Sequence, residues 1–499
     1  MYISSRGNFR PVTASEAICL GMAPGGGLFV PEKVPNLDEK SIYEMAGQSY
    51  REIAQKILEL YLDDFTTEEI KEIVDQSYNQ DNFDHPDIAP VAKLDEQTFI
   101  LELWHGPTAA FKDMALQIMP RLLVTAVRKK GSGQEVIIPV ATSGDTGKAA
   151  LEGFKNVPGV KIIVFYPHGG VSKVQELQMT TADGDNVAVV AVRGNFDDCQ
   201  TAVKKLFTDQ EFNRLLADHQ MTFSSANSIN WGRLLPQIVY YFWGYSQLMH
   251  KGEVAAGEKI NVVVPTGNFG NILACYYAFL MGLPVDKMIC ASNKNKVLTD
   301  VIETGIYDRQ RLFYKTISPS MDILISSNFE RFLFEITDHD AEKISAWYQQ
   351  LQDQGVFQVE DVYRLKWQDS LLGGFATDEE TKKEIETTYT ATGYVLDPHT
   401  GAGMAVYRDY VKKSGDQRKT IIDATANPYK FNRAVLEAIS GQDLTHQEDE
   451  FAVLEELHKV TGMSIHSALR DLDKRPVRHQ RVIEKDQLGA TVKDILGLQ

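Results

Sequence analysis

The feature of this chain that most constrains its fold is a series of short, apolar, β-branched runs separated by helical segments. Runs with almost no polar alternation are typical of parallel strands that are buried on both faces. The intervening helices would cover those faces, so the sequence predicts a doubly wound α/β architecture divided between two domains. The runs are EVIIPVAT at 135–142, VKIIVFYP at 160–167, NVAVVAVRG at 186–194, KINVVVPTG at 259–267, KMICASN at 287–293 and KTIIDATAN at 419–427.

The chain has 499 residues, which is enough for several domains. We assign residues 1–97 to a mainly helical N-terminal domain and 131–235 to a smaller α/β domain. A large domain combines 98–130 with 236–435. Residues 436–499 are charged and are predicted to form a helical C-terminal extension.

The charge balance and the cysteines exclude several kinds of partner. With 51 basic and 68 acidic residues the formal net charge is −17, whereas nucleic acids and anionic membranes attract clustered cations. No apolar stretch has the length of a membrane span, and the first residues lack the pattern of a secretory signal. The four cysteines are scattered, which indicates neither a metal site nor a disulfide framework. We expect a cytoplasmic protein that binds a small molecule, with no metal, membrane or nucleic-acid partner.

Two junctions between a strand and a helix are rich in small and polar residues, and ligands bind at such carboxyl ends in parallel sheets. In PTGNFGN at 265–271, Gly267 and Gly270 let the backbone approach a ligand, and the next helix points free N–H groups at the loop. The arrangement of this loop favours the binding of a phosphate group, with a plain βα turn as the alternative.

In ATSGDTGKAA at 141–150, hydroxyl and N–H groups suit a carboxylate or another small anion. Asp145 also fits the alternative role of a helix cap.

The segment WHGPTAAFKDMALQIMPRLL at 104–123 predicts one helix that begins at Ala109, after Pro107. Lys112 would lie in its first turn, where the helix dipole disfavours a cation and apolar neighbours desolvate it. Both effects lower the pKa of a lysine and favour the neutral amine. A neutral amine attacks carbonyl groups and forms a Schiff base. The alternative is an ordinary solvated lysine.

The segment VLDPHTGAGMAVY at 395–407 offers two further polar side chains. Thr400 would hydrogen-bond a ring nitrogen or, alternatively, cap the following helix. His399 offers an acid or a base, although a lone histidine is more often structural. A Schiff-base lysine, a phosphate-binding loop and a carboxylate-binding loop are together what a pyridoxal-phosphate (PLP) enzyme acting on an amino acid requires.

Over most of residues 1–435 the chain resembles the threonine synthase family of fold-type II PLP enzymes, whose fold is tryptophan synthase β-like. Its motifs occur here in the family's order, and the ordered set is specific although each motif alone is weak. They are YISSRG with EAICLGMAPGGGLFVP, HGPTAAFKDMA, ATSGDTG, NSINWGRLLPQIVYYF, VPTGNFGN, DPHTGAG and ATANPYKF. The resemblance implies two doubly wound α/β domains and a mainly helical N-terminal domain.

The resemblance also implies a role for each matching residue. Lys112 would be the catalytic residue and form a Schiff base with PLP, and Thr400 would face the pyridine nitrogen and leave it largely unprotonated. The residues implied to bind the PLP phosphate are Gly267, Asn268, Phe269, Gly270 and Asn271. The residues implied to surround the substrate carboxylate and the PLP 3′-oxygen are Thr142, Ser143, Asp145 and Thr146. Because an acidic Asp145 would repel a carboxylate, we expect backbone N–H groups to contact the substrate there.

The implied activity is the conversion of O-phosphohomoserine and water to L-threonine and phosphate, a lyase reaction that completes threonine biosynthesis. The substrate phosphate then needs a site of its own. Our candidates are Lys148, Ser228, Asn230 and Arg233, since a guanidinium binds phosphate with two parallel hydrogen bonds. Without the resemblance, Lys148 would be a solvated helix residue and Arg233 would belong to a surface ion pair.

Two other functions stay open from the sequence. One is another fold-type II enzyme, such as a threonine dehydratase or a β-replacing synthase, against which the N-terminal signature and the NSINW segment argue. The other is a non-catalytic homologue that senses a phosphorylated metabolite, against which an intact Lys112 counts. The sequence does not decide between a monomer and a homodimer.

Overall fold

The computed structural model of the chain describes residues 1–131, 133–142, 144–444 and 449–498. The α-helices are α1 (Ala14–Leu20), α2 (Glu39–Tyr43), α3 (Tyr50–Tyr61), α4 (Thr67–Ser77), α5 (Asp113–Leu116), α6 (Met119–Lys129), α7 (Asp145–Phe154), α8 (Lys173–Thr180), α9 (Phe196–Thr208), α10 (Gln210–Asp218), α11 (Trp231–His250), α12 (Gly270–Leu280), α13 (Val297–Thr304), α14 (Phe329–Ile336), α15 (Ala341–Gln354), α16 (Asp361–Arg364), α17 (Asp378–Thr392), α18 (Pro398–Ser414), α19 (Asn432–Ser440), α20 (Glu450–Thr461) and α21 (Leu488–Leu496). Short 3₁₀ helices are Pro319–Met321, Pro428–Phe431, Leu472–Lys474 and Lys485–Gln487.

The strands are β1 (Tyr2–Ser4), β2 (Phe29–Pro31), β3 (Val91–Lys93), β4 (Thr98–Glu102), β5 (Glu135–Ala141), β6 (Val160–Pro167), β7 (Val187–Arg193), β8 (Met221–Phe223), β9 (Ile260–Pro265), β10 (Val285–Ser292), β11 (Ile306–Asp308), β12 (Val356–Gln358), β13 (Leu371–Phe375), β14 (Thr420–Ala424) and β15 (Arg481–Glu484). Two antiparallel pairs, β1–β2 and β11–β12, stand apart from two larger sheets.

A six-stranded sheet forms the centre of the larger part of the fold. Its order is β13-β10-β9-β14-β4-β3, and every neighbouring pair is parallel except β3–β4. Along β9, Val262 and Val264 pack into a cluster with residues of α11 and α12, whereas Val263 packs into another with residues of α18. Both faces of the sheet are therefore covered, and the predicted buried parallel strands are confirmed here as β9, β10 and β14.

The second sheet has five parallel strands in the order β15-β7-β6-β5-β8. The runs predicted at 135–142, 160–167 and 186–194 form β5, β6 and β7. Ile162 packs into one hydrophobic cluster and its neighbour Ile163 into another, so this sheet is also covered on both faces. The predicted α/β class is confirmed in both sheets.

The C-terminal region differs from the predicted helical extension. It contains α20 and α21, but Arg481–Glu484 forms β15, which lies beside β7 at the edge of the five-stranded sheet. Ile483 joins the same hydrophobic cluster as Val190 and Val192. A four-residue segment such as RVIE carries little strand signal by itself, because its β-structure depends on the sheet edge that it pairs with.

Two assigned boundaries cut through regular elements. The boundary at 97–98 separates β3 from its hairpin partner β4, and the boundary at 235–236 falls inside the continuous helix α11. The division into domains stays a prediction. Among the described residues, no helix combines the length and the apolarity that crossing a membrane requires.

Candidate active site

Lys112 follows β4 through a loop that is tied to the end of the neighbouring strand β14. Phe111 N–H donates to the Thr425 carbonyl at 2.8 Å, and Asn427 N–H donates to the Ala109 carbonyl at 3.0 Å. Ala109 has a left-handed φ of 59°. These contacts explain why the helix does not begin at Ala109 as predicted: α5 begins only at residue 113, with Lys112 as its N-cap. The prediction of one single helix is also wrong, because α6 follows as a separate helix.

The side chain of Lys112 is largely buried, with 13% of its surface exposed. Its Nζ lies 3.5 Å from Ser320 Oγ and 3.9 Å from Asp145 Oδ2. Burial lowers the pKa of Lys112, the Asp145 carboxylate opposes this effect, and the cations Lys430 and Arg233 add to it. The net direction is the predicted one, and so is its largest cause, the burial of the amine. Neighbouring charges replace the predicted effect of the helix dipole, since α5 is a single turn with little dipole of its own.

The loop after β5 carries the residues implied for the substrate carboxylate. Thr142 Oγ1 accepts hydrogen bonds from Gly144 N–H at 3.0 Å and Gly147 N–H at 2.9 Å, which fixes the loop. The N-cap of α7 is Gly144, so the alternative that Asp145 caps this helix is wrong. Thr146 is half-buried beside it. Ser143 lies outside the described residues.

Asp145 is instead the centre of a buried set of charged and polar groups. Its Oδ1 lies 2.9 Å from Lys430 Nζ and accepts a hydrogen bond from Gln175 Nε2 at 3.3 Å. Burial alone would raise the pKa of Asp145, but the charges of Lys430 and Lys112 hold it well below its usual range. Asp145 is therefore an ionised carboxylate.

The loop Gly267–Asn271 follows β9 and leads into α12. Phe269 takes a left-handed φ of 63° as the N-cap of α12, and no side chain of the described residues caps this helix. A Cβ at Gly267 would lie 2.3 Å from the Ser320 carbonyl oxygen, so only glycine fits there. The Asn268 carbonyl accepts two hydrogen bonds from Asn328. The uncapped N–H groups of α12 suit a phosphate group.

Two amide side chains at this loop form hydrogen bonds within the protein. Asn271 Nδ2 donates to the Pro265 carbonyl at 2.8 Å, and Asn268 Oδ1 accepts from Ser327 Oγ at 3.2 Å. The uncapped backbone N–H groups at the start of α12 are the donors that we assign to an anion at this loop.

Thr400 is fully buried near the start of α18. The N-cap of α18 is Asp397, so the alternative that Thr400 caps the helix is wrong. The Thr400 hydroxyl donates to Asp397 Oδ2.

His399 Nδ1 donates to Asp397 Oδ1 at 2.8 Å, and its Nε2 accepts a hydrogen bond from Ser320 N–H at 3.1 Å. Both nitrogens of His399 are used, which fits a structural histidine.

Arg233, in α11, is the strongest of the four candidates for a substrate phosphate. It is 4% exposed, so it does not belong to a surface ion pair. Its Nη1 donates to the Ala226 carbonyl at 2.6 Å, while its Nε has no partner among the described residues. Burial lowers the pKa of Arg233 to about 10. A buried guanidinium without a carboxylate partner is suited to an anionic ligand.

The other three candidates differ in how free their polar groups are. Lys148 is buried rather than solvated, and it pairs with Glu152 one turn further along α7. Asn230 is the N-cap of α11; its Oδ1 accepts Gly232 N–H and its Nδ2 donates to the carbonyls of Ile18 and Ser225. Its amide is fully used by the protein. Ser228 is half-buried, and its carbonyl accepts a hydrogen bond from Asn328 Nδ2.

Several side chains at the site were not singled out from the sequence. Lys430 and Asp397 lie within ATANPYKF and DPHTGAG, so attention to every polar residue of those segments would have found them. Gln175 and Ser320 lie outside the quoted motifs, and no sequence signal pointed to either.

Comparison with known proteins defines first the class and then the family. The family described as pyridoxal-phosphate dependent enzyme matches residues 86–351, so the chain is a fold-type II PLP enzyme with pyridoxal phosphate as its cofactor. The families described as threonine synthase N terminus and threonine synthase, C-terminal match residues 1–78 and 400–494. The chain belongs to the threonine synthase family.

Individual relatives agree with this placement. The threonine synthase of Pseudomonas aeruginosa is 39% identical over 92% of this chain and 97% of its own length. A PLP-bound threonine synthase from Brucella melitensis superposes with a TM-score of 0.88 at 35% identity and 99% coverage of both chains. Threonine synthase-like 1 of Macaca fascicularis is 41% identical over 86% of this chain. The chain spans only 58% of the length of that relative.

The residues present fit the cofactor of this family. Lys112 supplies a largely buried amine, and the uncapped start of α12 supplies N–H donors. These groups match the aldehyde and the phosphate of the cofactor.

Proposed function

We propose that this protein converts O-phosphohomoserine and water to L-threonine and phosphate. The proposal is carried by the burial of Arg233, a cation that has no carboxylate partner among the described residues. Arg233 is close enough to Lys112 for its charge to lower the pKa of that lysine. A PLP enzyme needs one anion site for its cofactor, and the substrate phosphate needs a second. Family membership supports the same substrate.

The side chains divide into those that hold the cofactor and those that hold the substrate. Lys112 would bond the cofactor aldehyde, the backbone of Gly267–Asn271 would bind its phosphate, and Thr400 would face its ring nitrogen. Thr142, Ser143, Asp145 and Thr146 would surround the substrate carboxylate and the 3′-oxygen. Arg233, with Lys148 and Ser228, would bind the substrate phosphate, whereas the Asn230 amide is used as a helix cap.

The bound cofactor supplies an electron sink for the charge that is left when a proton leaves carbon. The amine of Lys112 would remove the proton from the substrate Cα. Lys112 would also move the later protons at the β- and γ-carbons. Arg233 would stabilise the charge on the departing phosphate. The buried setting of these side chains would limit the access of water to the reacting carbon atoms.

The test is a product assay on the purified protein. Incubation with O-phosphohomoserine should release threonine and phosphate in equal amounts, and threonine alone should give no 2-oxobutyrate. A Lys112→Ala protein should lose the activity and the cofactor that borohydride fixes to the wild type. Formation of 2-oxobutyrate as the sole product would instead assign a dehydratase, and cofactor binding without any product would assign a sensor.

We further propose a cytoplasmic monomer or homodimer that has no nucleic-acid partner. The net charge of −17 supports the absence of a nucleic-acid partner, and the four free cysteines fit a reducing compartment. Light scattering during gel filtration measures the oligomeric state.

A further inference from the structure

Lys430 is a buried lysine in the 3₁₀ segment after β14. Its side chain is 2% exposed, and its Nζ lies 2.9 Å from Asp145 Oδ1. It also donates to the Thr108 carbonyl at 3.0 Å. A buried ammonium needs such partners because its desolvation is costly.

These contacts join three separate segments around Lys112. Thr108 precedes Lys112 in its loop, Asp145 begins α7, and Lys430 follows β14. Gln175 from α8 contacts the same oxygen of Asp145 as Lys430 does. The other oxygen, Oδ2, is the one that faces Lys112 at 3.9 Å.

We infer that Lys430 is a positioning residue: it holds Asp145 in place and neutralises its charge, so that Asp145 stands beside the reacting groups without trapping Lys112 as an ammonium ion. This rests on the proposed function in one respect, namely that Lys112 bonds the cofactor. It also explains how an acidic side chain is tolerated next to an anionic substrate, since the pair has no net charge.

The inference follows from the signs of the charges around Lys112. The charged groups that face it are Asp145 on α7, Lys430 after β14, Arg233 on α11 and Asp113 on α5. Without Lys430, the buried Asp145 carboxylate would have Lys112 as its nearest cation and would favour the protonated amine. Without the charge of Asp145, Lys430 and Arg233 would favour the neutral amine. Removal of both charges leaves Lys112 nearly as it was.

The experiment measures how much cofactor borohydride fixes to Lys112 as a function of pH. Full-length protein is incubated with PLP at a series of pH values, reduced, and analysed by peptide mass spectrometry. The variants are Lys430→Met, Lys430→Arg, Asp145→Asn and the double variant Asp145→Asn with Lys430→Met. Lys173→Met is the matched control, because Lys173 is 61% exposed and pairs with a glutamate on the surface. Circular dichroism checks the fold of each protein.

We expect Lys430→Met to raise the pH at half-maximal fixation by about one unit, a roughly tenfold change in the ratio of fixed to free lysine. Asp145→Asn should lower it, and the double variant, Lys430→Arg and the control should stay close to wild type. An unshifted midpoint in folded Lys430→Met overturns the inference. If that variant does not fold, an upward or absent shift in Asp145→Asn overturns it. A wild type without any adduct on Lys112 would refute the proposed function instead.

Discussion

Replacing Asp423 with asparagine is expected to stabilise the protein above neutral pH. Asp423 lies in β14 at the centre of the six-stranded sheet and is fully buried, and its Oδ1 has no partner among the described residues. The Tyr241 hydroxyl lies 2.8 Å from Asp423 Oδ2 and 2.9 Å from the Asn271 carbonyl oxygen. One phenol proton cannot serve two acceptors. Both contacts are satisfied only if Asp423 carries a proton, donates it to Tyr241, and Tyr241 donates to Asn271.

The size of the effect follows from the pKa of this carboxyl group. Burial raises the pKa of Asp423 to about 7, although its hydrogen bond with Tyr241 acts in the opposite direction. An unfolded aspartate titrates near pH 4, so between about pH 4 and 7 the native state holds a proton that the unfolded state has lost. The free energy of unfolding therefore falls with rising pH, by up to about 1.4 kcal/mol per unit, and the total cost above pH 7 is roughly 4 kcal/mol.

Asparagine removes this cost and keeps a donor for Tyr241, since its amide is neutral at every pH. Urea denaturation of wild type and Asp423→Asn should agree near pH 4 and diverge by about 2 kcal/mol or more at pH 8. Asp486→Asn, at an exposed position, is the control and should change little. Infrared spectroscopy should show a protonated carboxyl band at pH 6 that the variant lacks. A variant that is no more stable than wild type at pH 8, with an unchanged infrared band, would refute the reasoning.

The remaining predictions concern the site and the C-terminal strand. Gly267→Ala should weaken PLP binding at least about tenfold, since its Cβ would lie 2.3 Å from the Ser320 carbonyl oxygen. Fluorescence titration measures this, and the control Gly489→Ala should bind normally, because its Cβ would only make an ordinary contact of 3.7 Å with Leu206. Arg233→Met should raise the KM for O-phosphohomoserine about tenfold or more and leave PLP binding nearly unchanged, because it loses a charged phosphate contact; equal loss of both would contradict the assignment. Ile483→Ala should lower the free energy of unfolding in urea by about 2–4 kcal/mol, because Ile483 is 7% exposed and packs in the same hydrophobic cluster as Val190 and Val192. An unchanged midpoint would mean that β15 adds no stability.

The class of fold and the position of the site can both be predicted from the amino-acid sequence alone. Strand runs such as those of β6 and β9 are local patterns, and burial on both faces leaves a signal in every residue of the run. Parallel strands also end at one edge of their sheet, so the polar loops that follow the runs of β5 and β9 indicate where that edge lies. Lys112 can be singled out from the sequence because its segment, HGPTAAFKDMA, is one of the ordered motifs of the threonine synthase family.

Which groups meet at that edge depends on tertiary structure. Lys430 pairs with Asp145 and Thr108, which are hundreds of residues away, and a buried charge finds its partner through space rather than along the chain. The helix predicted at Ala109 is interrupted because its backbone bonds to the loop after β14, and RVIE becomes a strand because β7 offers a free edge. The local sequence pattern determines which secondary structure a segment prefers. Long-range hydrogen bonds and charge pairs decide which structure it adopts and which side chains meet, because a buried polar group without a partner is too costly to keep.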